Sequence, residues 1–344
     1  MNKDNYVSTE NMLQDYQGIV KAKSVPEDVN VVSFSCGDIL ISNIRPYLKK
    51  VWKATFNGGC SSDVFVLKAN DNIESDYLHY VIANDKFINF VMSGAKGVKM
   101  PRGDKKQMET YSLSLPQIQE QHKIVRLLSL LDERISTQNK IIEDLKKLKS
   151  AIIEIEYTPN TKTTSHIGNV IEQISKRNKN NAIQNVLSVS NRQGFIKQSD
   201  QFENRNVASE DTSNYKIVEK NDFAFNPARI NVGSIARLTT FENGIVSPMY
   251  ICFRTQENVA PEYIDFFFES KHFYCEIQKR LEGSVRQCLS FEGLCNIPFS
   301  LPSLEMQQRI GKRLFTLGQK IKTETDLLEL LNKQKQYLLR QMFI

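Results

Sequence analysis

The chain has 344 residues, of which 40% are hydrophobic and 24% are charged, a balance that excludes a disordered or fibrous protein and predicts about two globular domains. The sequence contains no run of eighteen apolar residues, which a membrane span would need, and the polar opening MNKDNYVSTE does not resemble a signal peptide. We therefore expect a cytoplasmic protein with no membrane partner. The net charge of +6 is spread over both halves, so contacts with a polyanion must come from local basic clusters.

The predicted elements form two successive halves with the same order of elements. Residues 1–113 contain short β-branched and aromatic runs bounded by Gly, Asn and Pro, which predict strands, and a helical pattern at 76–92. Residues 114–157 predict one long helix. Residues 158–299 repeat the mixed pattern, and residues 300–344 predict a second long helix. The predicted class is α+β, with two mixed α/β domains and two long helices.

The two halves share sequence, which indicates a tandem duplication. Asp38 and Arg45 recur with the same spacing as Asp222 and Arg229, at an offset of 184 in the numbering. SSDVFVLK at 61–68 matches the pattern of VSPMYICF at 246–253 with an offset of 185, and SLPQIQEQHKI at 114–124 matches SLPSLEMQQRI at 300–310 with an offset of 186. Such a repeat takes up more than half of the chain and is far too long for a solenoid, so one domain with its helix was copied once.

Each long helix carries apolar residues in steps of three and four, typical of a stripe that packs on another helix. The residues predicted to pair the helices are Ile124, Leu128, Leu131, Ile135, Ile142 and Leu145 in the first and Ile310, Leu314, Leu317, Ile321, Leu328 and Leu331 in the second. The polar interruptions also match, because Gln138 corresponds to Glu324 and Lys149 to Lys335. This shared pattern predicts an antiparallel coiled coil, while a parallel pair and two unrelated surface helices are the alternatives.

Metal, disulfide and cofactor motifs are absent from the sequence. The six cysteines include no C-x-x-C pair and the four histidines no metal-ligand pair, so we expect reduced thiols and no bound metal. GVKMPRGDK at 97–105 has the wrong spacing for a phosphate loop, and Asn226-Pro227-Ala228-Arg229 lacks the residues that follow Asn-Pro in an adenine methyltransferase site. An enzyme that uses Asp38 or Asp222 is an alternative, but no acidic or histidine partner repeats with either of them.

The junctions and the basic turns before them resemble the specificity subunit of type I restriction–modification systems. The family motif is matched by Leu115-Pro116, Glu120-Gln121 and Ile124, and in the second copy by Leu301-Pro302, Gln307 and Ile310. Met306 replaces the motif glutamate there, and Gly318 replaces Asp132. Met1 aligns with Asn185, so Ser165–Gln184 has no counterpart in the first copy, although the family carries such a lead-in segment before its first domain.

The resemblance implies a non-catalytic subunit whose two target-recognition domains each read half of a two-part DNA site. It also implies two adenine methyltransferase subunits that use S-adenosylmethionine, and a restriction subunit that uses ATP and Mg²⁺, with no cofactor on this chain. The alternative from another class is a DNA-independent scaffold that presents two protein-binding modules on a helical spacer.

Long cationic and amide side chains are the candidate DNA contacts, because such groups bind phosphates and base edges. They are Arg45, Lys96, Lys99, Arg102, Lys105, Lys106, Lys176, Arg177, Arg192, Arg229, Arg286 and Gln287. The sequence leaves two alternatives open: the basic turns are solvated loops, or Arg45 and Arg229 pair internally with Asp38 and Asp222.

Overall fold

The computed structural model describes residues 1–26, 30–158, 164–191, 193–201, 211–283 and 287–343. The chain forms two compact units, one of Met1–Lys140 with Thr325–Ile344 and one of Ile141–Glu324. Each unit therefore contains one mixed domain and a part of both long helices. The domain borders predicted from the sequence, after residues 113, 157 and 299, instead separate mixed segments from helical ones, and they stay a prediction.

The first half of the chain builds two small sheets. Its strands are β1 (Tyr6–Val7), β2 (Val32–Phe34), β3 (Ile39–Ser42), β4 (Val51–Lys53), β5 (Gly58–Cys60) and β6 (Val64–Leu67), and its helices are α1 (Ser75–Ile82), α2 (Asp85–Ser93), α3 (Lys105–Glu109) and α4 (Ile118–Tyr157). One sheet has the order β1-β5-β2 with β1 parallel to β5, and the other has the antiparallel order β4-β3-β6. All four residues of β3 are buried, because both of its faces are covered.

The second half repeats this plan with additional strands. Its strands are β7 (Thr164–His166), β8 (Ile171–Ile174), β9 (Val186–Ser190), β10 (Gly194–Lys197), β11 (Lys216–Glu219), β12 (Phe223–Phe225), β13 (Ile235–Arg237), β14 (Asn243–Val246), β15 (Ile251–Thr255) and β16 (Pro298–Ser300), and its helices are α5 (Gln198–Gln201), α6 (Pro261–Phe267), α7 (Lys271–Gln278), α8 (Phe291–Cys295) and α9 (Leu304–Met342). The sheets have the orders β10-β9-β14-β11, β13-β12-β15-β8 and β16-β7.

The strand pairing confirms the duplication. β9 runs parallel to β14 as β1 does to β5, and β12 lies between β13 and β15 as β3 lies between β4 and β6. Ile39, which corresponds to Phe223, pairs with Leu67, and Phe223 pairs with Phe253. Leu67 therefore corresponds to Phe253, and the offset of 185 predicted for this strand is wrong by one residue. β7 and β8 both precede Asn185, the residue that aligns with Met1.

In both units an aromatic pair joins the mixed domain to the end of one long helix, the helix that follows the other domain in the chain. The ring of Tyr77 on α1 lies 5.2 Å from that of Phe343, just after the end of α9, and the ring of Tyr263 on α6 lies 4.8 Å from that of Tyr157 at the end of α4. Tyr263 corresponds to Tyr77, and Phe343 corresponds to Tyr157, both with the offset that also relates the two junction motifs. Each domain is therefore held by the start of its own helix and by the end of the other helix.

The helix segments in the first unit are antiparallel. Asp132 on α4 pairs with Lys335 on α9 at 2.5 Å, while Leu128, one turn earlier on α4, shares a buried cluster with Leu339, one turn later on α9. In the second unit Glu156 pairs with Arg313 at 3.3 Å. The twelve residues predicted to pair the helices are buried or half-buried. Within the described ranges, no helix combines the length and hydropathy that a bilayer span needs.

A buried glutamine joins each helix start to its domain. Gln121 accepts a hydrogen bond from the Glu74 N–H at 2.8 Å and donates one to the Pro116 C=O at 2.9 Å. Gln307 makes the equivalent bonds, to the Ala260 N–H at 3.0 Å and the Pro302 C=O at 2.9 Å. The two side chains are 0% and 1% exposed, so no water can replace these bonds without opening the junction.

We expect Gln307→Leu to destabilise the protein by about 1–3 kcal/mol, because a buried donor and acceptor then lose their partners. The adjacent Gln308 is exposed, so Gln308→Leu is the matched control and should change the free energy of unfolding by less than about 0.5 kcal/mol. Urea unfolding of the two variants measures the difference. Equal midpoints for both variants would contradict the role of Gln307.

Candidate nucleic-acid interface

The repeated aspartates hold a turn before a buried strand. Asp38 accepts a hydrogen bond from the Ser35 N–H at 2.8 Å, and Asp222 accepts the equivalent one from the Glu219 N–H at 2.7 Å. Arg254 binds both carboxylate oxygens of Asp222 at 3.0 Å. Burial raises the pKa of Asp222, against the lowering effect of the backbone bond and of Arg254. These contacts give Asp222 a structural role.

The arginines that repeat with these aspartates do not pair with them. Lys68 lies 3.9 Å from Asp38, and Arg254 occupies the equivalent position beside Asp222, so the alternative that Arg45 and Arg229 are their partners is wrong. Arg229 is exposed. Arg45 is half-buried in a left-handed conformation with φ of 50°, and its buried Nε has no hydrogen-bond partner among the described residues. A strained arginine with an unsatisfied donor is a candidate contact for a ligand.

The basic turn of the first domain is a short bridged loop between α2 and α3. Lys96 and Arg102 exchange two backbone hydrogen bonds of 2.9 Å, and the Pro101 C=O accepts from the Arg45 N–H at 2.8 Å. Arg45 therefore lies at the base of the turn that carries Lys99. Glu282 and Cys288 form the equivalent bridge in the second domain, with bonds of 2.9 and 2.8 Å, so both domains have the same backbone bridge.

Most of the cationic groups in the first turn are already paired. Lys96 binds Asp104 at 2.8 Å, Arg102 binds Asp63 at 3.0 Å, and Lys105 lies 3.8 Å from Glu109. Lys99 and Lys106 are exposed, and in the part of the chain that the structure describes neither has an acidic partner. Asp104 lies within the cluster in sequence, whereas Asp63 lies much earlier in the chain and is brought to the cluster by the turn after β5, so the sequence alone does not indicate this partner.

The candidate contacts of the second domain are dispersed. Lys176 lies 4.0 Å from Glu219, and Arg177 donates to the Asn214 Oδ1 at 2.9 Å. Gln287 is exposed beside the bridged turn. Arg192 and Arg286 lie outside the described residues, so their predicted roles stay predictions.

The first unit also contains a cleft of about 750 Å³. Its acidic and basic lining residues are balanced, namely Asp15, Asp85 and Asp132 against Lys49, Lys335 and Arg340. Lys49 pairs with Asp85 at 2.8 Å, and Lys335 pairs with Asp132. A cleft whose charges cancel in this way does not attract a polyanion, so it does not favour DNA as its ligand.

Two mixed domains with equivalent backbone bridges, each attached to long helices, define a protein built from a duplicated domain and helix. The chain matches the family described as the type I restriction modification DNA specificity domain, over residues 2–147 and again over residues 159–333. It belongs to that family, and the resemblance seen in the sequence is confirmed.

Individual relatives agree with this membership. The chain is 31% identical over 111 residues, 32% of its own length, to the type I restriction enzyme EcoDI specificity subunit of Escherichia coli, of which this match covers 24%. It is 26% identical over 313 residues to the type I restriction enzyme MjaVIII specificity subunit of Methanocaldococcus jannaschii, covering 82% of this chain and 71% of that protein. The crystal structure of the type I restriction-modification S subunit from M. genitalium has the same fold, with a TM-score of 0.59 at 16% identity, over 100% of this chain and 93% of that one.

His79 gives the first unit a predictable pH dependence. Burial, with the nearby ammonium of Lys335, lowers the pKa of His79 to about 4, against the raising effect of Asp76 and Asp132. Since the pKa of an unfolded histidine is about 6.5, the neutral ring stabilises the fold above that pH, and up to about 3 kcal/mol is lost as the pH falls to 4. We expect His79→Phe to unfold with a smaller loss of stability between pH 7 and 4.5 than the unmodified chain.

The matched control is His122→Phe, because His122 is exposed on α4. Urea unfolding at several pH values measures how steeply the free energy of unfolding changes with pH. A His79→Phe slope equal to that of the unmodified chain would show that His79 takes up its proton in the folded state.

Proposed function

We propose that this chain is the DNA-reading subunit of a type I restriction–modification complex and that each of its domains binds one half of a two-part duplex site. The observation that carries the proposal is the repetition of one construction in both units: a bridged turn on a mixed domain that a buried glutamine and an aromatic pair fix to the long helices. Duplicated domains suit a ligand that offers two similar half-sites in the grooves of one duplex.

The dimensions of the helices support this reading. α4 has 40 residues, which corresponds to a length of about 60 Å at 1.5 Å per residue. Half-sites read in successive major grooves lie about 34 Å apart. A helix longer than one helical turn of DNA can therefore carry contacts to both halves.

The proposal includes partner subunits. Two adenine methyltransferase subunits with S-adenosylmethionine would modify the site, and a restriction subunit with ATP and Mg²⁺ would join for cleavage, all in the cytoplasm. The chain itself would provide the sequence specificity and no catalysis. Transfer of a methyl group by the purified chain alone would contradict this division of roles.

The direct test is to map methylated adenines in the host genome with and without this gene. We expect one two-part motif, methylated in both halves, to lose its modification when the gene is deleted and to regain it when the gene is restored. A gel shift with duplex DNA and the assembled complex distinguishes the scaffold alternative. A complex that assembles without binding DNA, together with an unchanged pattern of methylation, would favour that scaffold.

Lys99 should contact a DNA phosphate, because it is exposed at the bridged turn and has no acidic partner in the described ranges. We expect Lys99→Ala to weaken binding of the assembled complex to all duplexes and to lower the slope of log K against log salt by about 0.9. The same effect is predicted for Arg286→Ala in the second domain.

The control is Lys21→Ala in the first domain, since Lys21 already pairs with Asp4 at 2.7 Å. If Lys99 or Arg286 instead reads a base, its alanine variant should cost about 1–3 kcal/mol on the specific site and leave non-specific binding nearly unchanged. Unchanged affinity and salt slope in both variants would mean that the two side chains are only solvated.

A further inference from the structure

The tip of the bridged turn in the first domain presents two apolar side chains to solvent. Val98 is 103% exposed and Met100 is 49% exposed, and they flank Lys99. Single exposed apolar residues are common on protein surfaces. Here, however, a fully exposed valine and a half-exposed methionine occupy one short tip, beside a lysine that pairs with no acidic residue in the described part of the chain.

The base of the turn is held from several directions. Beneath the bridge of Lys96 and Arg102, the Arg102 guanidinium binds Asp63 and the Lys96 ammonium binds Asp104. Pro101 is buried, and its C=O accepts from the backbone of Arg45. Gly97 has φ of 94°, a left-handed conformation that favours glycine and turns the chain outward before Val98. An apolar tip on a fixed base loses little conformational entropy when it binds a ligand.

The surroundings of the tip identify the chemistry of its partner. Lys99 and Lys106 are exposed and unpaired by any acid among the described residues, and Lys105 is only weakly paired, so the turn attracts an anionic surface. The partner must therefore offer apolar groups next to negative charge. In duplex DNA the apolar group that the major groove presents is the C5-methyl group of thymine, a few ångströms from the phosphates.

We propose that Val98 and Met100 contact thymine methyl groups in the major groove of the half-site that the first domain reads, and that they contribute to its sequence specificity. This inference rests on the proposed function. Insertion of the tip between base pairs from the minor groove is the competing geometry. It uses wedges such as Phe, Leu, Ile, Met or Pro. Of these residues the tip carries Met100, which is half-exposed, whereas the fully exposed side chain of the tip is the short Val98.

The test uses the assembled complex and a duplex that carries its methylation motif. All thymines of one half-site at a time are replaced by deoxyuridine, which differs from thymine only by the missing methyl group. We expect replacement in the half-site of the first domain to weaken binding about fourfold for each methyl group contacted, which corresponds to about 0.8 kcal/mol. The combined Val98→Ser and Met100→Gln variant, which removes both methyl groups of the valine, should lose the same affinity on thymine DNA and show no further loss on deoxyuridine DNA in that half-site.

The matched control is Val20→Ser, because Val20 is also exposed in the first domain, at 49%, and it should bind both duplexes as the unmodified chain does. Equal urea midpoints of the variants and the unmodified chain establish that the variants fold. A complex that binds its motif but is insensitive to deoxyuridine in both half-sites overturns the inference and leaves the proposed function intact. A variant that binds more weakly yet keeps its full sensitivity to deoxyuridine also overturns it. A complex that does not bind its motif at all overturns the proposed function itself.

Discussion

The architecture depends on how a small mixed domain is attached to helices that it cannot bury on its own. Gln121 and Gln307 each satisfy a domain N–H and a junction C=O out of contact with water, so any rotation of the domain about the helix start leaves buried polar groups unpaired. The aromatic pair at the end of the other helix adds a second attachment. A domain fixed at two points on two helices presents its turn at a constant distance from the helix surface.

The two junctions use different side chains for the same purpose. In the first unit Lys335 packs 5.8 Å from the centre of the Tyr80 ring, and Asp132 accepts from the Tyr80 hydroxyl at 2.8 Å and neutralises the lysine. In the second unit Phe266 replaces the tyrosine, and Lys149 packs 5.1 Å from its ring centre. Without a hydroxyl to satisfy, the helix carries Gly318 where the first helix carries Asp132, and Glu269 of the domain binds the lysine at 2.6 Å instead. The departure of Gly318 from the family motif is therefore compensated locally.

Periodicity and self-comparison predicted the long helices, their antiparallel pairing and the duplication, because an apolar stripe and a repeated motif are encoded locally. The partners of charged residues were not predicted, because they come together across strands. The self-comparison correctly aligns Asp38 with Asp222. It suggests Arg45 and Arg229 as their ion-pair partners, because these arginines lie nearby in sequence. Lys68 and Arg254 occupy corresponding positions once β6 and β15 are aligned by their strand pairing. A correct alignment of the two copies therefore shows that both aspartates have a repeated cationic partner. The offset of 185 misaligns this strand by one residue and so does not show it.

Neutralisation within the fold also limits how the first domain can recognise DNA. Of the five cationic residues at 96–106, Lys96 and Arg102 bind Asp104 and Asp63, and Lys105 lies 3.8 Å from Glu109, so these ion pairs reduce the positive charge that is free for sequence-independent attraction to phosphates. Those ion pairs lie at the base of the turn, where they fix its shape. Among the described residues, the tip then carries one lysine without an acidic partner between two apolar side chains. A turn of this kind gains more from shape and apolar contact than from charge, which is what the proposed discrimination between DNA sequences requires.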